Sequence, residues 1–323
     1  MNVLKLKPTP SKGTNMPITT EVSTAVHNWS SSLAALPPLL RGEPSDTTLD
    51  ELRTAYDEML AAHPTPEGVT IEEVDMGGIP GIVVTPETVE DNRALFYIHG
   101  GAYIVGSPAG YHGLAGNFAV RLNARVFLPH YRLAPEHPFP TPINDTVDAY
   151  RWLLEQGQDP KRLMVAGDSA GGAMTVTVMI KARNLGLPLP AAGVALSPWA
   201  NLEHTGASMT NREGLDPLNS KAVLDLLARS FLGGALPNDP DASPVFADVR
   251  GLPPILVTIG ENELMLSDAV RLAGHLAENR VRVSLDVWPE MFHVWHMHQD
   301  RLPEGRKALD DAARFLLEAL PAR

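Results

Sequence analysis

The chain has 323 residues, enough for one large domain or two small ones, and its 44% hydrophobic and 20% charged residues are the balance of a globular protein. It contains no Cys, which excludes disulfides, thiolate metal sites and cysteine nucleophiles, and fits the reducing interior expected of a cytoplasmic protein. A formal net charge of −12 offers nothing to phosphate backbones or anionic lipid, and no run reaches the roughly 18 apolar residues of a membrane span, so neither nucleic acid nor membrane is an expected partner.

Met1 to Thr20 carries Lys5, Lys7 and Lys12 with no apolar stretch behind them, which does not read as a signal peptide; the first 15 residues read as an arm. Pro-rich patches stand at Pro8–Pro17 and His63–Pro66. Residues 20–62 have helical spacing, through Val22, Val26, Trp29 and Leu33, then Leu49, Leu52, Tyr56 and Leu60. Ile71 to Thr85 predicts a strand pair turning at Gly77-Gly78. From there short apolar strands alternate with helices. Strands are expected at Ala94–Ile98, Arg125–Leu128, Arg162–Ala166, Ala192–Leu196, Ile255–Ile259 and Val281–Val287, and helices at Tyr111–Leu122, Asn144–Leu154, Ala170–Ala182, Ser267–Glu278 and Arg306–Leu320. The alternation predicts an α/β fold, a mostly parallel sheet of about eight strands covered on both faces. Between Leu196 and Ile255 runs an insertion of nearly 60 residues containing a helix, Lys221 to Leu232. So long a connection in a compact domain implies a purpose. The expected organisation is an arm and cap helices over 1–65, a catalytic domain over 66–200 and 245–323, and a cap insertion over 201–244, with the cap above the carboxyl edge of the sheet, where open parallel sheets bind ligands.

Gly167-Asp168-Ser169-Ala170-Gly171 directly follows an apolar strand and directly precedes a helix. A bare Gly-x-Ser-x-Gly says little, and Ser169 alone could simply cap the helix. The placement carries the argument: a turn this sharp needs small residues on both sides, and it sets a hydroxyl at a helix N-terminus, where N–H groups favour developing negative charge. His99-Gly100-Gly101-Ala102 follows the strand Ala94–Ile98, one strand-helix-strand step earlier. Consecutive small residues let N–H groups point into a site, so Gly100, Gly101 and Ala102, with Ala170 after the nucleophile, are the candidate oxyanion donors; losing one such donor costs roughly 3–4 kcal/mol of barrier.

The segment from about Ala94 to about Trp295 resembles the hormone-sensitive-lipase-like carboxylesterases, bacterial esterase family IV of the α/β-hydrolase superfamily. The resemblance lies in the His-Gly-Gly segment, Tyr131 to Pro140 (YRLAPEHPFP), the Gly-Asp-Ser-Ala-Gly elbow, Leu196-Ser197-Pro198-Trp199, Ser243-Pro244 and Trp288-Pro289-Glu290-Met291-Phe292-His293. It implies that Gly101, Ala102 and Ala170 supply the oxyanion donors and that His99 braces the loop. The family usually has a third Gly where Ala102 stands, and Ala fits if φ there is negative.

Triads in this fold run Ser, then Asp or Glu, then His, which puts the base near the C-terminus. His293 follows the final strand. A metal cluster His293-x-x-His296-x-His298 is the rival reading, disfavoured by the lack of Cys or a carboxylate motif, and His275 sits inside a helix as a structural residue. The acid is expected after Ile255–Ile259, where the family usually has Asp-Pro-Leu and this chain has Glu263-Leu264-Met265. Glu263 is preferred; Glu261 matches the position less well, and Asp268, behind Ser267 as N-cap, has a role in the first helical turn. The expected reaction is two-step acyl transfer on short to medium acyl esters by Ser169, His293 and Glu263, needing no cofactor or metal. A deacetylase or amidase would use the same triad. A non-catalytic receptor on this fold, as in the plant gibberellin receptors, lacks the His that stands here at 293. A homodimer paired near the last strand is also expected.

Overall fold

A computed structural model describes residues 20–322, so the amino-terminal arm and the Pro8–Pro17 patch lie outside the described residues. Three helices open the described chain, α1 (Thr20–Ser32), α2 (Leu36–Leu40) and α3 (Leu49–Ala61). Helix α3 begins at Thr48, whose hydroxyl accepts from the Glu51 N–H while the Glu51 carboxylate accepts from the Thr48 N–H, a capping box that satisfies two orphan donors. The chain then runs β1 (Val69–Asp75), β2 (Pro80–Pro86), β3 (Ala94–Ile98), α4 (His112–Leu122), β4 (Arg125–Pro129), α5 (Thr141–Glu155), β5 (Leu163–Asp168), α6 (Ala170–Asn184) and β6 (Ala192–Leu196). The insertion follows, with α7 (Ser208–Asn211) and α8 (Lys221–Leu232), before β7 (Ile255–Gly260), α9 (Leu266–Glu278), β8 (Val283–Trp288) and α10 (Pro303–Glu318).

The eight strands form one sheet in the order β1-β2-β4-β3-β5-β6-β7-β8. β1 with β2 and β2 with β4 are antiparallel, and every later pair is parallel. Strands β3, β5, β6 and β7 are buried at every residue, which is why they read as continuous apolar runs rather than alternating ones. The chain goes outward from β3 to β4 and returns to β5 on the other side of β3, so the strand order reverses between β3 and β5. Such a switch point opens a crevice at the carboxyl ends of the two strands. Ile98 at the end of β3 pairs with Gly167 of β5, so the loops that follow them start side by side.

Boundaries differ from the sequence reading mainly at helix starts. Helices α5 and α10 begin at Thr141 and Pro303, earlier than expected, each with Pro in its first turn, where the missing N–H costs nothing. Ser267 is not the N-cap of α9: the helix begins one residue before it, and the Ser267 hydroxyl accepts from the Ser208 N–H in the insertion. Helix α3 is tied to the loops after β3 and β4 by Arg53, whose guanidinium donates to the carbonyls of Ile104 (2.9 Å) and Ala134 (3.0 Å) and to both carboxylate oxygens of Glu136.

Candidate active site

Ser169 stands between β5 and α6 with φ 54° and ψ −118°, a strained conformation for a residue with a Cβ. It persists because the chain around it leaves no alternative. A Cβ at Gly167 would lie 2.4 Å from the Gly171 carbonyl oxygen, and one at Gly171 would lie 2.0 Å from the Ile98 carbonyl oxygen. The glycines therefore let α6 rise directly over the ends of β3 and β5. The Ser169 hydroxyl makes no cap hydrogen bond to α6. Instead its Oγ lies 2.9 Å from Nε2 of His293, in the loop after β8.

His293 Nδ1 lies 2.7 Å from Oε2 of Glu263. The other carboxylate oxygen, Oε1, accepts from the Ser197 hydroxyl at 2.7 Å and from the Gly260 N–H at 2.7 Å. Ser197 Oγ in turn accepts from the Val294 N–H at 3.2 Å, so it bridges the acid and the loop that carries the His. Burial pushes the Glu263 carboxyl up from its ordinary range, and the donors from His293 and Gly260 oppose that rise. Burial also works against a charged His293, but the hydrogen bond that its Nδ1–H donates to Glu263 and the fields of Glu263, Asp216 and Asp168 outweigh it and raise its pKa.

Asp268 is fully buried away from this chain of contacts. It accepts from the Asn201 side-chain amide at 3.0 Å, and burial pushes its carboxyl up to about 6. Glu261 points elsewhere, to the Glu290 N–H. His296 and His298 are buried and neutral, held down to about 3 by burial. Among the described residues no three His, Cys, Asp or Glu side chains are grouped to hold a metal ion, and His293 is taken up by Ser169 and Glu263. His275 Nε2 contacts the Ala247 carbonyl at 2.7 Å, a structural contact.

The loop after β3 corrects two expectations. The Gly100 N–H is not available to an oxyanion, because it donates to the Tyr111 hydroxyl (3.0 Å) and to Asp168 Oδ1 (3.1 Å). Ala102 does not have a negative φ: it is left-handed at 55°, which costs a non-Gly residue roughly 1–2 kcal/mol. Gly101 has φ 103°, and a Cβ there would lie 2.0 Å from the Val105 carbonyl oxygen, so this position accepts only Gly. Among the described residues the N–H groups of Gly101 and Ala102 donate to no acceptor, and that of Ala170 is an orphan of the first helical turn. Gly101 and Ala102 line the same cavity as Ser169.

Two buried side chains hold this loop. His99 stacks on Tyr131 with ring centroids 4.2 Å apart and donates from Nδ1 to the Gly100 carbonyl at 2.8 Å; burial keeps it neutral, with a pKa of about 3. Asp168, next to the nucleophile, accepts from the Tyr97 hydroxyl (2.9 Å), the Tyr111 hydroxyl (3.0 Å) and the Gly100 N–H. Burial raises its carboxyl to about 6, and the two tyrosines favour its charged form. Sequence reasoning did not single out Ser197, Asp168 or Tyr111 as supports. Ser197 and Asp168 lay inside quoted motifs, which was the available signal.

The cavity over Ser169 is small, about 70 Å³. Trp29, Leu33 and Leu36 from the N-terminal helices wall one side, and Leu218 and Leu227 from the insertion wall the other. The larger hollows, about 510 and 620 Å³, lie around His130 and do not contain Ser169. A second cavity of about 150 Å³ shares Trp29 as a wall and is bounded beyond it by Met59, Leu60, His63 and His298.

Residues 95–297 match the family described as alpha/beta hydrolase fold. An acetyl-hydrolase of Streptomyces hygroscopicus is 43% identical over 254 residues, 76% of this chain and 85% of that protein. An esterase of Acinetobacter venetianus is 31% identical, covering 82% of this chain and 87% of its own. The solved structure of an esterase from the bacterial hormone-sensitive lipase family superposes with a TM-score of 0.87 at 37% identity, over 95% of this chain and 100% of that one. With an elbow serine at the sheet's switch point and likeness of this extent along the chain, the protein belongs to the α/β-hydrolase fold family, among the carboxylic ester hydrolases of the bacterial hormone-sensitive lipase group.

Proposed function

We propose that the chain hydrolyses small esters with short to medium acyl groups by two-step acyl transfer, with Ser169 as nucleophile, His293 as general base and Glu263 as the acid that orients it. The observation that carries this reading is the unbroken line of contacts from Ser169 Oγ to His293 at 2.9 Å and from His293 to Glu263 at 2.7 Å. As Ser169 attacks the ester carbonyl, His293 takes its proton, and Glu263 stabilises the imidazolium. The oxyanion is held by the N–H groups of Gly101, Ala102 and Ala170, in a loop whose shape is set before substrate arrives. His293 returns the proton to the leaving alcohol, and a water repeats the cycle to release the acid. No step calls on a metal or cofactor. Residues 20–65 and 201–244 act as the cap in this reading, since their apolar side chains close the cavity over Ser169.

Three observations favour short acyl groups: the cavity is about 70 Å³, Trp29 blocks its extension, and a relative is named an acetyl-hydrolase. The test is Ser169→Ala assayed on p-nitrophenyl acetate and butyrate. The variant is expected to keep its circular dichroism spectrum and lose all but about 10⁻³ or less of kcat, the remainder coming from binding and the oxyanion donors. Substantial turnover by that variant removes Ser169 from the role.

A further inference from the structure

Asp216 is a carboxylate of the insertion, in the loop between α7 and α8, and only 4% of its surface is exposed. Its hydrogen-bond donors are neutral: the Leu218 N–H gives to Oδ1 at 3.0 Å and the Asn219 side-chain amide gives to Oδ2 at 3.1 Å; the main chain of His293 lies nearby. Burying a carboxylate among neutral donors is costly unless a cation compensates. The group beside it that becomes a cation during acyl transfer is His293 itself. Leu218 and Asn219, the two residues that hold Asp216, also line the cavity over Ser169.

We propose that Asp216 is a positioning residue for the base: contributed by the cap and held beside the cavity by Leu218 and Asn219, it supports the His293 loop and stabilises the imidazolium together with Glu263. The inference rests on the reading of His293 as the general base. Glu263 meets the ring at Nδ1, from the loop after β7. Asp168 acts on it from the end of β5, Asp216 from the insertion, and His296 from its own turn, where it is neutral. The fields of three buried carboxylates therefore act on one imidazole, and the cap supplies one of them. The field of Asp216 favours the charged ring and disfavours an ionised Glu263. A cap that shifts when substrate enters would thereby alter the strength of the base, so pocket closure and proton transfer are coupled through one side chain.

The experiment is the pH profile of kcat/KM for Asp216→Asn, Asp216→Ser and Asp216→Glu on p-nitrophenyl butyrate, with Tm measured for each. Removing the charge weakens the imidazolium, so the acidic limb of Asp216→Asn is expected to move to lower pH by about one unit, a tenfold change in the protonation equilibrium. Its kcat is expected to fall about tenfold with KM changed far less. Asp216→Glu, which keeps the charge, is expected to hold the wild-type limb. Asp216→Ser keeps an acceptor for the Leu218 N–H and stands in if the Asn variant does not fold. If the limb is unmoved in the Asn or Ser variant while Tm falls, Asp216 is structural only and the inference is overturned. Retained activity in Ser169→Ala would instead bring down the functional reading beneath it, so the two failures are distinguishable.

Discussion

Glu263 offers both of its oxygens, one to His293 and one to Ser197 and Gly260, and this sets it apart from the other carboxylates near the end of β7. Glu263→Gln places an amide where an acceptor for His293 Nδ1–H is needed, and kcat is expected to fall by roughly 10⁴, as when the orienting acid of a serine protease is changed to its amide. Asp268→Asn is the control. Its carboxyl meets Asn201 and has no contact with the His, so kcat is expected to stay near wild type and stability to change by about 1 kcal/mol or less. Steady-state kinetics on the two purified variants decides; a near-wild-type kcat for Glu263→Gln would exchange their roles. His298 permits a second test at this scale. It is 2% exposed and neutral in the fold, with a pKa of about 3, whereas the unfolded chain protonates it near 6.5. Because the unfolded state binds the extra proton, the wild type loses stability as pH falls below about 6.5. His298→Gln has no such proton to bind. The stability gap between the two proteins is therefore expected to narrow by about 1.6 kcal/mol between pH 6.5 and 5 in denaturant titrations. A constant gap would mean that His298 is charged or hydrated in the fold.

The elements most legible in the sequence were the interior strands. β3, β5, β6 and β7 are buried throughout, so each appears as a bounded apolar run, and the motifs at the ends of β3 and β5 could be placed against one another. Helix starts were less legible, because Pro142 and Pro303 read as breaks when they occupy first turns. The four-residue α7 has no periodicity to detect. Ser197 and Asp216 could not be assigned from spacing. Their partners Glu263 and His293 are 66 and 77 residues away along the chain; Ser197 meets Glu263 because β6 and β7 are neighbours in the sheet, and Asp216 comes beside His293 only where the insertion meets the loop after β8. The pairing of α1 with the cavity is open to a direct test. Trp29 lines both the cavity over Ser169 and the one bounded by Met59 and His298, and its ring lies 6.2 Å from Tyr56 and 5.8 Å from His298. Trp29→Leu is expected to join the two spaces and move the acyl preference to longer chains, each further methylene accommodated in an apolar pocket being worth roughly 1–3 kcal/mol. An unchanged preference across a p-nitrophenyl ester series from acetate to decanoate would show that another wall sets the limit.

On the scale of the whole molecule, the sheet ends at β8, whose outer edge has no partner strand among the described residues. Val287 on this strand is 44% exposed. An uncovered edge invites pairing with a second copy, and a homodimer formed there is our proposal for the assembly. Light scattering is expected to give twice the 34.9 kDa of one chain, and a charged residue at Val287 is expected to return it to a monomer. A single 34.9 kDa species in the wild type would contradict this. Among the described residues no helix is long and apolar enough to cross a membrane.

The carboxylate of Asp168 joins the residue beside the attacking serine to the loop that receives the negative oxygen. Two parts of the reaction centre, carried on separate strands, are thus fastened at a single joint beneath the floor of the pocket. The cap can then diverge, tilt or be rebuilt to suit another ester without changing the distance between attacking atom and receiving amides. What the joint leaves adjustable is which molecule arrives and, through Asp216, how strongly the base pulls. Variation in this lineage is free to act on selectivity and rate while the geometry of attack is inherited unchanged.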